Sequence, residues 1–120
     1  MIAVLDDDES LRRALTRVLR VGGFSAVEFA CGKEFLKSWR LDPPACLVLD
    51  LEMPGVSGME ILEALQVAKA PFPVIVITAH DAPHVREESM RRGAVAYLRK
   101  PVDITGLLEA VTNAVGPRNG

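Results

Sequence analysis

The stretch that decides the fold is ACLVLDLEMPGVSG, which occupies residues 45–58. Residues 46–49 carry no polar side chain, which is typical of a strand covered on both faces in a parallel sheet. Asp50 stands at the carboxyl end of this strand, and a proline and two glycines then interrupt regular structure. Because open α/β sheets bind ligands beyond the carboxyl ends of their strands, Asp50 is a candidate functional residue. Taken alone, the pattern fits equally well a carboxylate that only caps or solvates the strand end.

The composition is that of an ordinary globular chain. Its 120 residues, 49% apolar and 25% charged, suit one domain that can bury a core. A net charge of −2 with interspersed signs argues against direct nucleic-acid binding by this segment. The sequence contains no apolar run of membrane-spanning length and no signal-peptide pattern after Met1. We interpret Cys31 and Cys46 as reduced structural thiols in apolar surroundings, which predicts a cytoplasmic protein.

Apolar periodicity predicts five strands that alternate with five helices. The strands are expected at residues 2–5, 24–29, 46–49, 74–77 and 94–98. The second, third and fourth helices are expected at residues 32–40, 59–68 and 82–92. The first helix is indicated by an apolar stripe of Leu11, Ala14, Leu15, Val18 and Leu19. The last helix is indicated by a stripe of Ile104, Leu107, Leu108, Val111 and Val115. Each crossover is long enough for a βαβ unit, so the pattern predicts an α/β fold with a parallel sheet and helices on both faces.

Two elements have weaker patterns. Polar residues Ser25 and Glu28 interrupt the second strand, which we therefore place at an edge of the sheet. The fourth helix has a thin apolar stripe of Val85, Ser89 and Met90, so it is predicted to be the most weakly held helix.

Polar side chains follow four of the strands. Asp6 and Asp7 come directly after the first strand, and helix capping does not account for them because Asp8 is the natural N-cap of the next helix. Thr78 and Lys100 follow the fourth and fifth strands, as Asp50 follows the third. Parallel strands end on one side of a sheet, so these groups converge. An all-oxygen carboxylate cluster suits Mg²⁺, and a neighbouring lysine and hydroxyl complete the groups that neutralise a phosphoryl group.

These residues resemble the receiver domain of two-component response regulators, and the resemblance covers essentially the whole chain. The family signature is an acid pair, an acceptor aspartate, a Ser or Thr and a Lys-Pro pair, each after its strand; this chain has Asp6-Asp7, Asp50, Thr78 and Lys100-Pro101. The resemblance implies a flavodoxin-like, doubly wound (βα)5 fold with strand order 2-1-3-4-5. It also implies a receiver domain over residues 1–116, with 117–120 as a tail or the start of a linker.

The resemblance implies a role for each site residue. Asp50 would be the nucleophile that takes a phosphoryl group from a phosphohistidine of a sensor histidine kinase. Asp7 and Asp50 would ligate Mg²⁺ through their side chains, Glu52 through its backbone carbonyl, and Asp6 through a metal-bound water. Lys100 would pair with Asp50 and then with the phosphoryl oxygens.

Other residues would tune or read out the reaction. Thr78 would hydrogen-bond the phosphoryl group, and Ala79 is small enough to allow access to it. Glu52 and His80 match positions that tune the lifetime of the phosphorylated state. Tyr97 would move together with Thr78 and change the face formed by the fourth helix, fifth strand and fifth helix, on which a phosphorylation-dependent homodimer is expected. Pro101 is expected to follow a cis peptide bond.

Rival interpretations come from other protein classes. A Mg²⁺-dependent haloacid-dehalogenase-like phosphohydrolase also uses an aspartate nucleophile, but it needs a second Asp two residues on, where this chain has Glu52. A flavodoxin-like or dinucleotide-binding module needs a phosphate loop after the first strand, where four acids would repel phosphate. A receiver that is never phosphorylated would be expected to lack part of the acid cluster. The phosphoacceptor interpretation, with self-catalysed phosphorylation, fits the residues best, and the resemblance implies transcription regulation as one output.

Overall fold

A computed structural model of the chain describes residues 1–53 and 55–116. Its strands are β1 (Ile2–Leu5), β2 (Ala26–Phe29), β3 (Cys46–Asp50), β4 (Val74–Thr78) and β5 (Ala94–Arg99). Its helices are α1 (Glu9–Val21), α2 (Gly32–Ser38), α3 (Gly58–Val67), α4 (Pro83–Arg91) and α5 (Ile104–Val115). The predicted type and order of these ten elements are confirmed. Pro54 and the predicted tail at residues 117–120 lie outside the described residues.

The five strands form one parallel sheet in the order β2-β1-β3-β4-β5, as predicted. Within it, β1 and β3 are neighbours, with Ile2 opposite Cys46 and Leu5 opposite Leu49. The chain therefore reverses its direction of winding between β1 and β3, and side chains just beyond these two strands face a common crevice. The predicted edge position of β2 is confirmed.

The core has two layers because side chains alternate along the strands. On one face, β-strand residues such as Leu47 and Leu49 pack with α2 and α3 through Phe35 and Ile61. On the other face lie residues of α1 and α5, together with the alternate strand residues Val4, Cys46, Val48, Ile75 and Ile77. All five residues of β3 are buried, as the apolar run predicted. Asp50 is thus positioned by a strand that cannot shift without disturbing both layers.

Some element boundaries differ from the predictions. β2 begins at Ala26 rather than Phe24, because the Phe24 amide donates to the Leu19 carbonyl at 2.9 Å and completes the end of α1. The second helix ends at Ser38, two residues earlier than predicted. Gly58 does not interrupt regular structure but begins α3, where Ser57 caps the helix by accepting from the Glu60 amide at 3.2 Å.

Four side chains assigned to apolar surroundings are exposed instead. Ala14 and Cys31 are exposed, Met90 is 42% exposed and Ile104 is 58% exposed. Cys31 is the N-cap residue of α2, and Ile104 is the first residue of α5. In α4 only Ser89 is buried, with its hydroxyl satisfied by the Val85 carbonyl at 2.8 Å. Among the described residues, no helix combines the length and apolarity that crossing a membrane requires.

Candidate functional site

The predicted polar residues meet at the carboxyl end of the sheet. Asp50 and Thr78 are the last residues of β3 and β4, and Asp6 follows β1 directly. All three are buried, with exposures of 1–2%, whereas Asp7 is exposed at the mouth of the crevice. One carboxylate oxygen from each of Asp6, Asp7 and Asp50 lies within 4.8 Å of the others. The structure therefore brings together the three carboxylates that the sequence placed at one sheet edge.

Two donors hold the carboxylate of Asp50. Its Oδ1 accepts a hydrogen bond from the Glu52 amide at 3.2 Å and pairs with the Lys100 ammonium at 3.1 Å. Burial, reinforced by the negative charge of Asp6, nevertheless raises the pKa of Asp50 to about 6. Near neutral pH the metal-free site therefore holds an ionised carboxylate that is short of positive charge.

The carboxylate of Asp6 also has too little positive charge around it. Its Oδ1 accepts from the Asp8 amide at 2.9 Å, but its buried Oδ2 has no hydrogen-bond partner and lies 3.9 Å from the Lys100 ammonium. Burial raises the pKa of Asp6. A buried carboxylate oxygen without a partner is costly, and here it lies beside two further carboxylates. This set of hard oxygen ligands, without His or Cys, fits Mg²⁺.

Lys100 reaches the site from the end of β5. Its amide donates to the Thr78 carbonyl at 2.9 Å, which ties the two strand ends together. Burial on its own would lower the pKa of Lys100, but the hydrogen bond and the charges of Asp50 and Asp6 outweigh it and raise the pKa. Lys100 is therefore a fixed positive charge beside Asp50. The peptide bond between Lys100 and Pro101 is cis.

The segment after β4 carries the remaining predicted residues. Thr78 Oγ1 accepts from the His80 amide at 3.0 Å. One carboxylate oxygen of Glu52, Oε1, accepts from the amides of Ala79 at 2.5 Å and His80 at 3.1 Å. Ala79 and His80 are both exposed. Glu52 and His80, predicted to act together, are thus in contact through the backbone of the β4–α4 loop, residues 79–82.

Tyr97 lies half-buried on β5, beside the same loop. Its hydroxyl donates to Asp81 Oδ1 at 3.0 Å, and the Arg86 guanidinium lies 5.6 Å from the centre of its ring. Burial and the nearby Asp81 carboxylate raise the pKa of Tyr97. The ring therefore sits at the surface, tied to a loop that begins next to Thr78.

Sequence reasoning missed two residues that shape the site. Arg12 was not among the predicted site residues, but it donates to the Asp6 carbonyl at 2.9 Å and pairs with Glu28 at 3.0 Å. The available signal was that Arg12 follows Asp6 by six residues and that Glu28 lies on the strand predicted to pair with β1. Gly58 has no room for a side chain, because a Cβ there would lie 2.5 Å from the Asp50 carbonyl oxygen. That close approach sets the start of α3 against the end of β3.

The profile of the response regulator receiver domain matches residues 2–112. The chain belongs to this family. The predicted membership is confirmed, and nothing in the comparisons supports the haloacid-dehalogenase alternative. The geometry above is accordingly that of a receiver domain.

Relatives and solved structures of the family are similar along nearly the whole chain. Nodulation protein W of Bradyrhizobium diazoefficiens is 38% identical over 114 residues, covering 95% of this chain and 50% of that protein. The transcriptional regulatory protein FixJ of the same organism is 32% identical, covering 97% of this chain and 58% of that protein. A response regulator receiver protein of Burkholderia phymatum has a TM-score of 0.84 and 41% identity, covering 98% and 95% of the two chains. This receiver domain thus spans about half the length of the curated relatives it matches.

Proposed function

We propose that this receiver domain is the phosphoacceptor of a two-component His-Asp phosphorelay and that Asp50 is the residue phosphorylated. The observation that carries the proposal is the placement of Asp50. Its Oδ1 is held by Lys100 at 3.1 Å, inside a cluster of three carboxylate ligands at the carboxyl end of the sheet. A buried carboxylate fixed beside a cation is preorganised to attack phosphorus.

The donor is a phosphohistidine of a sensor histidine kinase. A carboxylate oxygen of Asp50 forms the new bond to phosphorus, and the electron pair of the broken phosphorus–nitrogen bond stays on the histidine ring of the kinase. Lys100, which pairs with Asp50 before the transfer, then pairs with the phosphoryl oxygens. The Thr78 hydroxyl, buried at the end of β4, donates to the phosphoryl group. The chain catalyses its own phosphorylation and dephosphorylation as a signalling acceptor rather than as a turnover enzyme.

The acid cluster would hold Mg²⁺. Asp7 and Asp50 would bind it through side chains, Glu52 through its backbone carbonyl and Asp6 through a water molecule. Bound Mg²⁺ supplies the positive charge that lets a phosphoryl group approach three carboxylates. Two observations support a cation at this site: the buried Asp6 Oδ2 accepts no hydrogen bond, and the pKa of Asp50 is raised.

The signal is read out on the face formed by α4, β5 and α5. Thr78 turns towards the phosphoryl group, and Tyr97 moves with it, changing the surface that a partner contacts. Since α4 buries only Ser89, it is the helix best able to respond. Phosphorylation strengthens a homodimer through this face. Glu52, Ala79 and His80 tune the lifetime of the phosphorylated state.

The output is control of transcription, which the named function of the FixJ relative supports. We assign residues 1–116 to the receiver domain and propose that residues 117–120 are a tail or the start of a linker. Both cysteines are free, which suits a reducing cytoplasm.

The direct test is phosphorylation by acetyl phosphate, followed by intact-mass measurement. With Mg²⁺ the protein should gain one phosphoryl group, and with a chelator it should gain none. The Asp50→Asn variant should gain none under either condition. Labelling of that variant to the wild-type level would show that Asp50 is not the acceptor.

A further inference from the structure

Glu52 links the proposed acceptor to the loop that follows Thr78. Its amide donates to Asp50 Oδ1 at 3.2 Å, while its side chain accepts from the amides of Ala79 at 2.5 Å and His80 at 3.1 Å. The two loop amides therefore lie within the span of one glutamate residue from Asp50. Both N–H groups are directed at the Glu52 carboxylate, whose own amide is bonded to the proposed acceptor.

We propose that the Glu52 carboxylate is an internal placeholder for the phosphoryl group, occupying the Ala79 and His80 amides until phosphorylation displaces it. This inference rests on the proposed function, because the displacing anion is the phosphoryl group on Asp50. It assigns Glu52 a role as a positioning residue for the resting loop, separate from any ligation of metal by its backbone carbonyl.

The chemistry of the two anions supports competition for the same donors. Consecutive backbone amides bind carboxylate and phosphate oxygens alike, and the Ala79 and His80 amides already hold one carboxylate oxygen. An incoming phosphoryl group would be repelled by the Glu52 charge while that side chain remained docked. The resting contact therefore opposes the phosphorylated state both by occupying donors and by charge.

The docked carboxylate is also poised to leave. Glu52 Oε2 is shielded from solvent and has no hydrogen-bond partner, so half of the carboxylate is unsatisfied in the resting position. When the side chain swings out, this oxygen gains water, which offsets part of the lost hydrogen bonding to the loop. A carboxylate that accepts hydrogen bonds through one oxygen only is more easily displaced by another anion than one that is bonded through both.

Displacement would be transmitted along a short loop. His80 also donates to Thr78 Oγ1 at 3.0 Å, and the next residue, Asp81, holds the Tyr97 hydroxyl. Release of Glu52 thus frees the Ala79 amide and leaves the His80 amide bonded to Thr78 alone, directly before the residue that restrains Tyr97. Displacement of the Glu52 side chain therefore couples the arrival of the phosphoryl group to movement of the β4–α4 loop.

The test compares wild type with Glu52→Ala, Glu52→Gln and the control Glu60→Gln, which removes one negative charge from an exposed site in the first turn of α3. Amide spectra of the metal-free proteins report the contact, and titration with beryllofluoride at saturating Mg²⁺ reports the competition. In Glu52→Ala the amide signals of Ala79 and His80 should move furthest, and half-saturation should need about five- to tenfold less beryllofluoride, the effect of about one net hydrogen bond at a partly exposed site. Glu52→Gln should fall between Glu52→Ala and wild type, because an amide oxygen accepts without charge.

The outcomes separate the two proposals. If wild type binds beryllofluoride and both Glu52 variants bind it no more tightly than Glu60→Gln does, the placeholder role is wrong and the phosphoacceptor function stands. Unmoved Ala79 and His80 amide signals in Glu52→Ala would overturn it as well. If wild type itself fails to bind beryllofluoride with Mg²⁺, the proposed function fails and the placeholder role fails with it. Should Glu52→Ala not fold, the isosteric Glu52→Gln decides both measurements.

Discussion

The Tyr97 hydroxyl donates a 3.0 Å hydrogen bond to Asp81 Oδ1, and Arg99 binds the other oxygen of the same carboxylate at 3.3 Å. Asp81 belongs to the β4–α4 loop, and Tyr97 and Arg99 belong to β5. The aromatic ring proposed as the read-out is therefore latched to the loop that begins beside Thr78. A movement of Thr78 that shifts this loop would release the ring.

Replacement of Asp81 by Asn should weaken this latch and shift the resting population towards the arrangement with Tyr97 inward. A hydrogen bond to an exposed charge contributes about 0.5–1 kcal/mol, so we expect about two- to fivefold tighter binding of beryllofluoride. Aromatic proton signals of Tyr97 should move in the same direction as on activation. The control is Asp42→Asn, an exposed acid in the loop before β3. Equal beryllofluoride affinities for the two variants would leave the latch without a role.

Stability of the metal-free domain should reveal the raised pKa of Asp50. Its pKa is about 6 in the fold and 3.8 for the free group, so between these values the folded state binds more protons than the unfolded state. Stability attributable to Asp50 therefore falls as pH rises from 4 to 6. Asp50→Asn removes this loss, so relative to wild type the variant should gain about 2 kcal/mol more at pH 7 than at pH 4. Urea unfolding at both pH values in a chelator measures the difference, and a pH-independent difference would contradict the raised pKa.

The element order was predictable because β3 and β4 are continuously apolar and their polar ends are unmistakable. Convergence of Asp6, Asp50 and Thr78 then followed from parallel topology alone. The contacts of Glu52 with residues 79 and 80 were not predictable, because they join segments 27 and 28 residues apart whose separation depends on loop geometry. The same holds for Arg12, since its direction depends on which side of α1 faces β2.

The sequence also did not predict which residues at the ends of helices are exposed. Periodicity placed Ile104 on the inner stripe of α5, yet this first residue of the helix is 58% exposed. Leu107 and Val111, one and two turns later, are buried as predicted. A stripe read from sequence gives the direction of a helix face but not where the neighbouring layer ends.

Mg²⁺ should stabilise the fold through Asp7. Binding to the folded state alone adds about 2–3 kcal/mol when the ion is at about 100 times its dissociation constant. Asp7→Ala should lose most of this increment, because Asp7 supplies one of the clustered carboxylates. Asp8→Ala is the matched control: it removes the N-cap of α1, which costs about 1 kcal/mol, but should keep the increment. Thermal unfolding with Mg²⁺ or a chelator measures both, and an undiminished increment in Asp7→Ala would place the ion elsewhere.

Arg12 should contribute more to stability than its neighbour Arg13, although both belong to the first helix. The Arg12 side chain is only 12% exposed and joins α1 to the Asp6 carbonyl and to Glu28 on β2. Arg13 pairs with Glu9 within the helix, and both of those side chains are more than 60% exposed. Loss of Arg12 leaves a carbonyl and a half-buried carboxylate without this partner, so Arg12→Ala should cost about 1–3 kcal/mol. Arg13→Ala should cost less than about 0.5 kcal/mol, as expected for an exposed pair.

Urea unfolding of Arg12→Ala and Arg13→Ala at pH 7 measures the difference in stability between the two variants. The stability that each variant gains from Mg²⁺ shows whether Arg12 also positions Asp6. If Arg12 positions Asp6, then Arg12→Ala should also bind Mg²⁺ more weakly, since the carbonyl that Arg12 holds belongs to the residue whose side chain joins the acid cluster. Arg12→Lys keeps the charge but cannot span the Asp6 carbonyl and Glu28 with a planar fork, so it should recover only part of both properties. Full recovery by lysine would mean that charge, rather than the two directed hydrogen bonds, is what Arg12 supplies.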